Sequence, residues 1–121
     1  MSLANAVRAA IEKLYTGTCD VIEHRPVEDG ALTHYEDIPV LQNQPCRLSF
    51  GQSPSAGNVS DGASPLTQTV KLFLAPEVGI KPGSKIVVTQ AGQTVAFNQS
   101  GPPAFYESHQ EISLELWKGW A

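Results

Sequence analysis

Histidine, cysteine and carboxylate are the groups with which this chain could do chemistry, and their spacing decides whether it does. The three histidines, His24, His34 and His109, and the two cysteines, Cys19 and Cys46, are scattered along the sequence. Metal centres draw ligands from short convergent spacings such as CxxC, and the sequence contains none. Set beside turn and polar residues, the histidines read as surface groups. Cys19 and His24, five residues apart, fall on opposite faces of a strand, so they do not form a nucleophile and its base. Neither a GxSxG elbow, a GxGxxG turn nor a phosphate-binding loop lysine is present. Glu111 and Glu115 share one strand face with Ser113 and Trp117. Paired carboxylates can act as acid and base, but a solvated or interface-facing strand explains them more simply. The expectation is a chain with no catalytic, cofactor-binding or metal-binding residues, and not an enzyme. Cys19 and Cys46 then read as small buried thiols of a reducing compartment or as a disulfide between paired strands.

The aromatic residues carry a different chemistry. Phe105, Tyr106, Trp117 and Trp120 crowd the last part of the chain. Large aromatics there anchor contacts between chains, or else pack into the core against an N-terminal helix.

The elements that must position these groups follow from periodicity. Leu3, Val7, Ala10, Ile11 and Leu14 form the stripe of one amphipathic helix over 3–15, with Ser2 as N-cap and Gly17 as the left-handed stop. After Gly17 the period changes to two. "TCDVIEH" and "QPCRLSF" read as half-buried strands, and Asp29-Gly30 turns the chain into another over about 33–41. "LTQTVKLFLA" and "EISLEL" alternate in the same way. Between Lys81 and Phe97, Pro82-Gly83 and Ala91-Gly92 flank a β-branched run, which predicts a hairpin with Ile86 and Val88 inward and Val87 and Thr89 outward. "GQSPSAGNVSDGASP", residues 51–65, is too rich in Gly, Ser and Pro to pack and reads as a long mobile loop, functional or disordered.

The totals bound the rest. A chain of 121 residues fits one domain spanning 1–121. Ten glycines and nine prolines favour short strands over long helices, so the expected fold is a mainly β, small antiparallel β-barrel of about six or seven strands with one N-terminal helix. A net charge of −4, with only eight Lys and Arg, argues against a surface that grips nucleic-acid phosphates, although DNA could pass nearby without specific binding. No apolar run approaches the roughly 20 residues that span a bilayer, and no signal segment is present, so a soluble chain made in the cytoplasm with no membrane partner is expected.

Four stretches, "KLYTGTCDVIEH", "VLQNQPCRLSF", "VKLFLAPEVGIKPGSKIVVTQAGQTVAF" and "SGPPAFYESHQEISLEL", together resemble the small head-completion proteins of long-tailed phages and prophages of Gram-positive bacteria. The resemblance covers nearly the whole chain and involves no catalytic signature. It implies a β-barrel with protruding loops that acts as a head-closure, or stopper, protein in the head-tail connector of the virion, assembled in the bacterial host cytoplasm. The implied partners are further copies of itself in a homo-oligomeric ring, portal and adaptor proteins on the head side, and a tail-completion or tail-terminator protein on the tail side. It also implies that Ser53, Pro54, Ser55, Asn58, Val59, Ser60 and Asp61 form a channel loop or an arm contacting a neighbour, although that segment lacks the lysines and arginines that would hold DNA. Two alternatives remain: a tail-completion or tail-terminator protein, and a small-ligand or peptide-binding barrel whose pocket is lined by Phe105, Tyr106, Trp117 and Trp120.

Overall fold

The computed structural model describes residues 2–54 and 66–120. One helix, α1 (Leu3–Glu12), precedes β1 (Gly17–Asp29), β2 (Leu32–Pro54), β3 (Leu66–Leu74), β4 (Lys85–Gln90), β5 (Gln93–Gln99), β6 (Ala104–Phe105) and β7 (Gln110–Leu116). All seven strands join one antiparallel sheet in the order β3-β2-β1-β4-β5-β7-β6, and a further β3–β7 pairing closes it on itself. Closure makes a six-stranded barrel of β1, β4, β5, β7, β3 and β2, with β6 as a short appendage on β7. The mainly β barrel expected from the sequence is therefore the fold, and closure removes the sheet edges that would otherwise seek partners.

Period-two alternation fills the barrel. Leu72 and Leu74 of β3, Ile86 and Val88 of β4 and Ile112 of β7 are at most 1% exposed, with Cys19 of β1 and Cys46 of β2 beside them. Burying each large aliphatic side chain contributes about 1.5–3 kcal/mol, so these few residues supply much of the fold's stability. Both cysteines are free thiols. Hydrogen bonding to Cys46 and then burial push the Cys19 thiol far above the ordinary thiol range.

The β4–β5 hairpin matches its sequence in detail. Ser84 N–H donates to the Lys81 carbonyl at 3.2 Å across Pro82-Gly83, and Gly83 takes φ +88°. Ala91 and Gly92 both have positive φ, the geometry of a two-residue turn that suits the twist of an antiparallel pair. Ile86 and Val88 point inward, as expected.

Four expectations need correction. The helix stops at Glu12 rather than near residue 15, and Lys13 caps it in right-handed geometry. Ser2 is the N-cap, its Oγ accepting from Asn5 N–H at 3.1 Å. Gly17 is not the helix stop. It opens β1 where a Cβ would lie 3.0 Å from the Thr89 carbonyl, so close backbone approach is what requires glycine there. The strands expected near 33–41 and 44–50 are one 23-residue strand, β2, which passes through the positive-φ Asn43 without ending. Finally, residues 51–54 are strand: Gly51, Gln52, Ser53 and Pro54 pair with Thr69, Gln68, Thr67 and Leu66. Register with β3 overrode their weak propensity. The rest of the expected loop, including Ser55, Asn58, Val59, Ser60 and Asp61, lies outside the described residues.

Candidate functional site

Three exposed regions surround the filled barrel. The first is an arm. β1 pairs with β4 only from Thr18 to Ile22, then continues to Asp29 beside β2 alone. The projecting hairpin turns at Gly30, φ +65°, and Asp29 pairs directly with Leu32, so the turn residues are Gly30 and Ala31, one place later than expected. No residue from Ile22 to Pro45 is buried. The arm carries five carboxylates, Glu23, Glu28, Asp29, Glu36 and Asp37, against one arginine, Arg25, a balance equal to the whole chain's −4. His24 Nδ1 lies 2.8 Å from Asp37 Oδ1, and His34 Nε2 lies 2.9 Å from Glu36 Oε1.

A column of rings holds the arm's base. His24 is sandwiched between Tyr35, centroid distance 4.9 Å, and Trp120, 4.8 Å, in near-parallel stacks. Trp120 meets Trp117 edge-on at 4.6 Å, and Lys85 Nζ stands 5.4 Å over the Trp117 ring. Such pairs contribute about 0.5–1.5 kcal/mol each beyond area burial. The segment after β7 is thereby stitched to β1 and β2.

The second region is the open end of the barrel. Here the inward rows of β2, β3, β5 and β7 outrun the core and leave a groove of about 650 Å³ lined by Phe50, Val70, Val95, Leu114, Leu116 and Trp117. Phe50 is 56% and Leu116 66% exposed, although both occupy inward positions of their strands. At the groove's edge Gln90 acts as a strand substitute: its Oε1 accepts from Leu48 N–H at 2.8 Å and its Nε2 donates to the Leu48 carbonyl at 3.2 Å.

The third region is α1, together with the turn between β6 and β7. Ala4, Arg8, Ile11 and Tyr15 are the half-buried row, whereas Leu3, Val7, Ala10 and Leu14 are exposed. Arg8 ties the helix down, donating from Nη2 to Glu77 and from Nε to Glu12, each at 2.6 Å. The guanidinium holds the Glu77 carboxyl below the usual carboxylate range. Leu3 and Val7 share a depression with Glu107 and Ser108. Beyond it Tyr106 stacks on His109 at 4.9 Å, and His109 Nε2 lies 2.8 Å from Glu111 Oε2.

Of the sequence-predicted site residues, Phe105 and Tyr106 are exposed. Trp117 and Trp120 are half-buried, and they pack toward the arm rather than against α1. The four aromatics do not line one pocket: Trp117 borders the barrel-end groove, and Trp120 a separate depression with His24 and Tyr35. His24 and His34 are surface residues, but His109 is wedged between Tyr106 and Phe73. Among the described residues, no three His, Cys, Asp or Glu side chains gather as metal ligands. No helix there is long and apolar enough to cross a membrane.

Sequence reasoning missed Phe50 and Leu116 as surface residues and Tyr35 and His24 as stacking partners. A signal existed for the first two, since each is the last member of an alternating apolar row and so stands where a barrel ends. It also missed Gln110, a buried polar residue whose Nε2 donates to the carbonyls of Ala75 at 2.8 Å and Val78 at 2.6 Å, fixing the loop before β4.

No protein-family model matches the chain, and no curated protein matches it. A solved structure does. The fold is similar to that of the phage-like element PBSX protein xkdH from Bacillus subtilis, with TM-score 0.51 at 14% identity over 82% of this chain and 91% of that one.

Proposed function

We propose that this chain is a structural protein of a tailed-phage particle, and within that class a head-closure protein: one subunit of a ring between the DNA-filled capsid and the tail. The observation that carries the reading is the shared fold with a protein of a phage-like element over 82% of the chain. The physical character of the molecule supports it. A closed, filled barrel is a stiff unit that keeps its shape under load, and such a unit suits a ring that must retain packaged DNA. Its exposed apolar side chains, Leu3, Phe50, Phe105 and Leu116 among them, lie outside the core, where subunits and partners meet.

In this reading the partners are further copies of the chain, portal and adaptor proteins on the head side and a tail-completion or terminator protein on the tail side. DNA passes without specific contact, because a chain of net charge −4 offers little to bind phosphates. Particles made without the protein test the assignment. Full heads that leak DNA, beside finished but unattached tails, are the expected result. Intact heads joined to tails would overturn it, and heads intact beside unfinished tails would make the chain a tail-completion protein instead.

A further inference from the structure

The exposed stripe of α1 and the groove at the open end of the barrel are both apolar. Leu3, Val7 and Ala10 follow each other at spacings of four and three, the repeat that keeps side chains on one helical face, and Leu14 continues the row in the turn just past the helix. This is a second stripe, since the row that meets the barrel is Ala4, Arg8, Ile11 and Tyr15. Leu3 is 82%, Val7 43% and Leu14 51% exposed, so the outer stripe is largely uncovered among the described residues, meeting its own chain only at the rims of shallow depressions beside Glu107 and Ser108 and beside Arg47. It is convex. The groove lined by Phe50, Val70, Val95, Leu114, Leu116 and Trp117 is concave and apolar.

We infer that α1 of one copy seats its outer stripe in the barrel-end groove of the next copy, and that this head-to-tail contact builds the ring. The inference rests on the ring reading and deepens it. Symmetry selects this occupant. A cyclic ring repeats a heterologous contact, which requires two different complementary patches on one chain, whereas pairing of α1 with α1 would stop at a two-fold dimer. Anchors at i, i+4, i+7 and i+11 are those with which a helix enters an apolar groove. Charge agrees: Lys13 and Glu12 flank the stripe at its C-terminal end, and Glu115 and Lys118, themselves 3.5 Å apart, flank the groove. Lys13 can meet Glu115, whereas Glu12 stays with Arg8 of its own helix at 2.6 Å.

One short helix covers less than the about 800 Å² per partner of a stable pairwise interface, so the contact is weak in a free pair and strengthens when a template aligns neighbours. The test therefore uses a method that detects weak binding. The full-length Val7→Glu variant, helix blocked and groove intact, is labelled with ¹⁵N and titrated with unlabelled Leu116→Glu variant, groove blocked and helix intact, up to on the order of 1 mM. The expected result is progressive NMR shifts at Phe50, Val70, Val95 and the Trp117 indole, absent when unlabelled Val7→Glu replaces the titrant. Both sites are exposed, so both variants should fold. If Leu116→Glu does not, Val95→Lys blocks the opposite wall of the groove. Shifts of equal size with either titrant, or no shifts at all, would overturn the inference. The particle phenotype of a strain lacking the chain is read separately, so failure of this contact leaves the head-closure reading standing, and the reverse.

Discussion

The chain contains two long hairpins built with similar turn chemistry and put to opposite uses. In β4–β5, positive-φ Ala91 and Gly92 turn the chain, both outer edges are paired, to β1 and to β7, and Ile86, Val88 and Phe97 are buried. In the distal half of β1–β2, Gly30 turns the chain at φ +65°, neither outer edge pairs with another strand among the described residues, and none of its residues is buried. Turn residues and alternation specify that a hairpin forms. Whether it becomes scaffold or appendage depends on whether its inward row meets other inward rows, and in the arm it meets none. The two should therefore differ in how strongly they are coupled to global unfolding.

Truncation within each region gives the largest contrast. Leu72, fully buried where β2, β3 and β7 meet, should cost about 2–5 kcal/mol as Leu72→Ala, because both transfer energy and a cavity are involved. Tyr35, 62% exposed on the arm, should cost under about 1 kcal/mol as Tyr35→Ala. Urea unfolding midpoints at equal m-values compare them. Similar losses would mean that the arm is part of the cooperative unit.

The turns give a finer contrast. Gly92 at φ +76° and Gly30 at φ +65° both sit where a Cβ is strained, so the local cost of Gly→Ala is about 1 kcal/mol at each. Gly92→Ala should lower global stability by that amount, since β4–β5 cannot relax without opening the barrel. Gly30→Ala should leave the urea midpoint nearly unchanged and appear instead as faster amide exchange near the arm's tip. Equal shifts of the two midpoints would remove the distinction.

The same difference explains what the sequence showed and what it hid. Ile86, Val88, Leu72, Leu74 and Ile112 announced their positions because alternation is imposed locally by the pleat and the barrel needed nothing else from them. The β4–β5 turn was equally legible, because φ > 0 selects glycine. Gly51 to Pro54 were not, since their strand exists through register with β3 and not through propensity. Nor was the fate of α1: periodicity revealed an amphipathic helix but could not show that the barrel takes Ala4, Arg8 and Ile11 and leaves Leu3 and Val7 outside. The candidate contact residues were half legible. Aromatic composition singled out Trp117 and Trp120, but their partners His24 and Tyr35 lie about 80–100 residues earlier in the chain, a distance that only the fold closes.

That long-range stack offers the subtlest way to sharpen the comparison. The arm has no buried residue of its own, so what orders it is its ladder, the His24–Asp37 and His34–Glu36 contacts, and the column Tyr35–His24–Trp120–Trp117. Surface ion pairs contribute little, whereas a ring pair contributes about 0.5–1.5 kcal/mol. Trp120→Ala removes two such pairs at once, but from a residue outside every strand and therefore outside the barrel's cooperative core. The global midpoint should move by less than about 0.5 kcal/mol. Local opening of the arm should become up to roughly tenfold more frequent, read as loss of amide protection at 23–28 and 33–38 with the β3 and β4 amides unaffected. Unchanged protection of the arm would mean that its own ladder suffices and the ring column is incidental. Protection lost together across arm and barrel would mean that the segment after β7 belongs to the core, and the contrast between the two hairpins would be one of exposure alone.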